Sequence, residues 1–283
     1  GEDYEGVGAE RAEHASLCFW DTGFAQPEVR TTRDRSGVSQ VEISQDGRYV
    51  AAVGRVNDEY DPLKVVPGNT RVYDAITGET VLQLDGSPEM HCLDISRDGK
   101  LAVAGDYGHA ARIWRIDSLT PMRELTGHTG SVRSVAFDTE TRRVATGSDD
   151  GSIIVHNLDD GKQPLVLNGL GRPVVSVAFS PDSKLVAGAT RATGDADSET
   201  RVWNADTGEE LVRLAGGVSI AFGIENSQLA LIEQSRDAQP PSSRVVLRDP
   251  VTGDILRTLP DFDGLLTHIA WSDDGRRIVA AGT

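Results

Sequence analysis

The chain has 283 residues, 38% of them hydrophobic and 25% charged, a balance that excludes the disordered and collagen-like classes. Its formal net charge of −16 repels phosphate backbones and anionic headgroups and favours a basic partner or simply solubility. With no apolar run of 18 residues and no Lys/Arg stripe interleaved with aromatics, neither a membrane nor a nucleic acid is expected as partner.

In chain order, GEDYEGVGAERAEHA is read as a loop, and LCFWDTGFAQPEVRT as two strands with no pair before them. VEISQDGRYVAAVG then predicts two strands turned by Gln45-Asp46-Gly47, and TRVYDAITGETVLQL predicts two more. The plan returns in CLDISRDGKLAVAG with ARIWRIDSLTPMREL, and in SVAFDTETRRVATG with GSIIVHNLDDGKQPLVL. It returns again in PVVSVAFSPDSKLVAGAT with ETRVWNADTGEELVRL, and around Gly223. The last segment, LLTHIAWSDDGRRIVAAGT, supplies a first and a second strand and stops. Runs such as SVAF are too short and too β-branched for helix, and Asp-Gly or Ser-Pro-Asp supplies the turn that follows. The Ala- and Gly-rich second strands fit sheets covered on both faces by close neighbours.

The residues that close each first strand, Ser44, Ser96, Asp138, Ser180, Gly223 and Ser272, recur at intervals of 42 to 52 residues. Periods of roughly 40–45 residues with four short strands each mark propeller blades. The expected fold is therefore all-β, a six-bladed β-propeller of four-stranded antiparallel blades forming a single domain over residues 1–283. The unpaired N-terminal strands (about 15–30) and the C-terminal pair (266–282) are expected to share the closing blade, which removes exposed sheet edges. A fragment of a longer array is the alternative.

These residues resemble the WD-repeat β-propeller family from about Ser16 to Gly282. The likeness rests on Gly127-His128, Phe179-Ser-Pro-Asp182, Gly147-Ser-Asp-Asp-Gly151 and the Trp-Asp, Tyr-Asp and Trp-Asn pairs that end third strands. Departures mark a divergent member: one unit alone carries Gly-His in phase, and the Trp position reads Trp20, Tyr73, Trp114, His156, Trp203 and Arg248. The resemblance implies a hydrogen-bonded structural tetrad of His128, Thr146, Asp150 and His156. A buried imidazole needs partners for both nitrogens, and a hydroxyl with a carboxylate provides them. A hydroxyl-His-Asp catalytic triad is the weaker reading of the same residues, because Thr146 lies mid-strand and not on an exposed elbow.

Function is expected on loops. The stretches Gly54–Thr70, Thr190–Glu199 and Glu233–Ser243 are long, and they place Asp58, Glu59, Tyr60, Asp61, Asp195, Asp197 and Glu199 as an acidic platform for a basic protein segment. The family resemblance adds Ser131, Arg133 and Asp149 as partner-facing positions. The expected role is a non-catalytic protein–protein interaction scaffold or sensor, a monomeric propeller or one domain of a larger regulatory chain. The rival is a six-bladed propeller hydrolase, for which Glu42, Asp94 and His268, with Ser134, Ser176 and Ser219, are the first-strand candidates. Asp195, Asp197 and Glu199 begin like a calcium loop but lack its Gly and its final Glu, and the six histidines make no i, i+4 pair, so no metal is expected. No phosphate-cradling glycine motif is present, and no cofactor is expected. Cys18 and Cys92 sit in apolar runs and read as buried thiols. The first residue is Gly1, which leaves a removed signal peptide or a preceding domain open; the expected location is cytoplasmic.

Overall fold

Four-residue to nine-residue strands joined by tight turns dominate the chain, because its β-branched runs are cut every few residues by Gly, Asp and Ser. The computed structural model describes residues 15–20, 29–34, 37–57, 65–66, 70–84, 90–118, 121–159, 161–192, 198–225, 227–235, 240–272 and 274–282. Among them there is no helix. Five antiparallel sheets follow one another, each with its four principal strands in sequence order. The first is Gly37–Ile43, Tyr49–Asn57, Arg71–Asp74 and Thr80–Gln83; the second is Met90–Ile95, Leu101–Asp106, Ala111–Arg115 and Pro121–Leu125. The third is Val132–Phe137, Arg143–Ser148, Ile153–Asn157 and Leu165–Leu167; the fourth is Val174–Phe179, Leu185–Thr190, Glu199–Asn204 and Glu210–Ala215. The fifth is Ile220–Phe222, Leu229–Ser235, Ser242–Arg248 and Ile255–Thr258.

Each sheet stacks on the next, which is the blade arrangement of a β-propeller. Ala51, Val53 and Val72 of the first sheet share a core with Leu93, Ile95 and Trp114 of the second. Val103 and Ile113 of the second meet Val132, Val135 and Phe137 of the third. The pattern continues through Ile153 and Val155 against Val186 and Trp203, then Val202 and Leu214 against Ile220, Phe222 and Leu229. Second strands lie sandwiched between two neighbours, so Val103, Ala145 and Ala187 are wholly buried. Small residues there are a steric requirement: a Cβ at Gly105 would stand 2.5 Å from Val132 Cγ1, and one at Gly147 2.7 Å from Val174 Cγ1.

The turns between first and second strands repeat one device. Ser44, Ser96, Ser180 and Ser272 donate to Asp46, Asp98, Asp182 and Asp274 at 2.6–2.7 Å. Gly47, Gly99 and Gly275 supply the left-handed residue that follows, at φ of 65–69°. Two further strand pairs stand apart from the five sheets. Ala15–Trp20 pairs with Val29–Asp34, and Leu266–Trp271 pairs with Ile278–Gly282. Leu266 and Ile269 of the C-terminal pair pack on Ala230, Ile232, Val245 and Leu247 of the fifth sheet. In the structure these two pairs are separate two-stranded sheets, where the sequence reading joins them into one blade.

Candidate functional site

His128 leads into the first strand of the third sheet, Thr146 lies in its second strand, Asp150 in the following turn and His156 in the third strand. The fold brings all four together. His128 Nδ1 lies 3.0 Å from Asp150 Oδ2, and its Nε2 lies 2.8 Å from Thr146 Oγ1. The carboxylate only accepts, so Nδ1 carries the proton and Nε2 accepts the threonine hydroxyl. The His156 Nε2, 3.3 Å from Thr146 Oγ1, completes a one-way chain of donors running from His156 through Thr146 and His128 to Asp150. Asp150 also accepts the Thr129 and Ser152 backbone N–H groups and the Ser152 hydroxyl, at 2.7–2.9 Å. Burial pushes the Asp150 carboxyl up, but these donors and the neighbouring His128 outweigh it and hold the group at about 2. Burial, with help from His128 and Arg123, lowers His156 to about 4. Thr146 is wholly buried, so no substrate reaches the hydroxyl that a triad would need as nucleophile.

Arg133 and Asp149 flank this network. Arg133 donates through Nε and Nη2 to Asp149 Oδ2 at 2.8 and 2.6 Å, and its guanidinium lies 5.2 Å from the centre of the Tyr107 ring. The Asp149 N–H is held by the Ser131 carbonyl at 2.9 Å. The result is a half-buried cation–carboxylate–aromatic cluster bridging the second and third sheets. Tyr107 was not among the sequence candidates; its only signal is an aromatic in the Asp106-Tyr107-Gly108 turn that enters the third strand of the second sheet.

Glu199 faces inward instead of forming part of an open platform. It accepts Arg201 Nε at 2.6 Å, and Arg201 also reaches Glu210 at 2.8 Å and the Gly169 carbonyl at 2.7 Å. Arg201 is 6% exposed, so its charge depends on these partners. Asp58, Glu59, Tyr60, Asp61, Asp195 and Asp197 lie outside the described residues. Among the described residues no group of three or more His, Cys, Asp and Glu side chains is placed to hold a metal ion.

Of the first-strand groups weighed for a hydrolase, the three serines and Asp94 are engaged between sheets, while Glu42 accepts Gln40 Nε2 at 3.1 Å and His268 meets Thr267, each on its own strand. Ser134, Ser176 and Ser219 accept the backbone N–H of Val177, Ile220 and Ile269 at 3.0–3.3 Å. Asp94 accepts the N–H of Ile95 and, across the interface, that of Phe137, at 2.8 and 2.7 Å. Burial and then the nearby Glu42 charge push Asp94 up to about 8, and burial raises Glu42 as well. Cys92 is buried, and that burial lifts its thiol to about 12, which makes it a packing group.

Comparison with known proteins matches residues 119–157 and 161–204 to the family described as WD domain, G-beta repeat. The chain is 33% identical over 152 residues to human apoptotic protease-activating factor 1, which is 50% of this chain and 12% of that protein. It is 29% identical over 240 residues to protein hir-1 of Neurospora crassa, 68% of this chain and 23% of the other. It is 32% identical over 168 residues to WD repeat-containing protein 1 of Gallus gallus, 56% of this chain and 26% of the other. The chain thus spans between 12% and 26% of the length of these relatives.

Proposed function

We propose that the chain is a WD-repeat protein and a non-catalytic interaction module, one propeller domain that holds a protein partner within a larger regulatory assembly; the family matches at residues 119–157 and 161–204 support this. The observation that carries this reading is the engagement of the first-strand hydroxyls and Asp94 as inter-sheet acceptors. A hydrolase needs such groups aimed at substrate; here they are spent on stacking the sheets. The Arg133–Asp149–Tyr107 cluster, with Ser131, is the proposed contact surface, since a half-exposed guanidinium over an aromatic ring is the kind of group that anchors interfaces. The acidic stretches at 58–61 and 195–197 are its proposed second arm, selecting a basic segment of the partner, and the module acts as a cytoplasmic monomer.

The proposed domain runs over residues 1–283 as a closed ring of six blades, with the two end pairs sharing the sixth. Support comes from burial at repeating positions. Val41 and Ile43 are 40% and 63% exposed, whereas the in-phase Leu93 and Ile95, or Val135 and Phe137, are buried against the preceding sheet. Val279 is 66% exposed, whereas the in-phase Ala51, Val103, Ala145 and Ala187 are buried against the following sheet. The two exposed faces are complementary halves of one interface, and closing the ring removes both from water.

The function is tested by isolating a partner on the intact chain, purifying it, and measuring its affinity for three variants. Arg133→Glu, and trimming of 58–61 or of 195–197, are each expected to weaken binding at least about tenfold, the scale of a lost interface anchor. Unchanged affinity in all three refutes the proposed surface.

A further inference from the structure

One first-strand position, in phase in all six units, is filled by Gln40, Cys92, Ser134, Ser176, Ser219 and His268. The first five each reach across to the next sheet. Gln40 grips Leu93, donating from Nε2 to its carbonyl at 3.1 Å and accepting its N–H on Oε1 at 3.4 Å. The Cys92 thiol lies 3.7 Å from the Val132 carbonyl of the third sheet. Ser134, Ser176 and Ser219 accept the N–H of Val177, Ile220 and Ile269. Leu93, Val177, Ile220 and Ile269 occupy one phase of their own first strands, and the same phase in the first sheet is Val41. Amide and hydroxyl side chains thus tie one sheet to the next at the same level, while the Cys92 thiol meets its neighbour three residues away, at Val132.

We propose that His268 is the sixth link of this belt and clasps the ring shut, its imidazole accepting the Val41 N–H. The proposal rests on the closed-ring reading. Its chemistry is that of the Gln40 and serine links, which accept an N–H: a neutral imidazole has one acceptor nitrogen, and with Nδ1 3.0 Å from Thr267 Oγ1 the Nε2 is the atom left to face the first sheet. The occupant of the face is this chain's own first sheet, because Val41 on one side and Val279 on the other are exposed at positions that every complete interface buries.

Residue-resolved hydrogen exchange on the chain tests both levels. In the wild type, the Val41 amide and residues 278–282 are expected to exchange slowly, at a rate independent of protein concentration. His268→Ala is expected to speed Val41 exchange about tenfold, the effect of one lost hydrogen bond, and leave residues 132–148 unchanged. His268→Gln is expected to restore protection, since Gln40 makes the equivalent link. Slow Val41 exchange that His268→Ala leaves unaltered overturns the clasp but not the ring. Fast wild-type exchange at both Val41 and 278–282 overturns the ring itself. Protection that grows with concentration assigns the face to a second copy and overturns the intramolecular clasp.

Discussion

The imidazole Nε2 of His128 lies 2.8 Å from Thr146 Oγ1, and this contact ties a loop to a wholly buried strand position. Removing the ring leaves the threonine hydroxyl and the Asp150 carboxylate short of a partner each. His128→Ala is therefore expected to destabilise the chain by about 1–3 kcal/mol, through buried polar groups left unpaired. Urea unfolding measures it, and an unaltered midpoint with an unaltered slope is incompatible with the network as a structural peg.

The same network gives a pH signature. His156 is held at about 4 when folded against 6.5 ordinarily, so the unfolded chain takes up its proton first. Its contribution to stability is complete above pH 6.5 and is lost as pH falls towards 4, at up to about 1.4 kcal/mol per pH unit. Asp150, lowered from 3.8 to about 2, loses its contribution below that window. Asp94 acts in the opposite sense: raised from 3.8 to about 8, it costs stability as pH rises between those values. Because the two trends overlap, single variants separate them. Relative to wild type, His156→Gln is expected to become progressively more favourable from pH 6.5 to 4, and Asp94→Asn from pH 4 to 8. Parallel stability curves for variant and wild type would rule out the corresponding shift.

Ser134→Ala removes the acceptor of the Val177 N–H between the third and fourth sheets. The expected cost is about 1–2 kcal/mol, seen as a lower thermal midpoint with the fold retained. If the hydroxyl were instead a nucleophile, the variant would keep its stability and lose a hydrolytic rate. Calorimetry alongside an ester-hydrolysis assay distinguishes the two.

What the sequence discloses and what it hides follow from the range of the interactions. The strand pairs and their turns are legible because Ser-x-Asp-Gly acts within five residues, as the Ser44–Asp46 and Ser96–Asp98 bonds show. The set of His128, Thr146, Asp150 and His156 is legible through the family resemblance, which implies it, and its contacts stay inside one repeat. Gln40 and Asp94 are not legible in this way: each acts on a neighbouring sheet, at Leu93 and at Phe137, and such contacts depend on how sheets stack. Glu199 misleads for a related reason. It sits in an acidic stretch, and only the fold shows that Arg201 is buried beside it.

The claim on which the proposed architecture depends is that the last sheet packs on the first. Carrying Val41→Cys and Val279→Cys together, with Cys18→Ser to remove a competing thiol, the chain can be treated with a maleimide crosslinker reaching about 10 Å, the spacing of stacked sheets. The closed ring predicts efficient crosslinking within single monomers at every protein concentration. Failure to crosslink, or crosslinks that join only separate molecules, contradicts it.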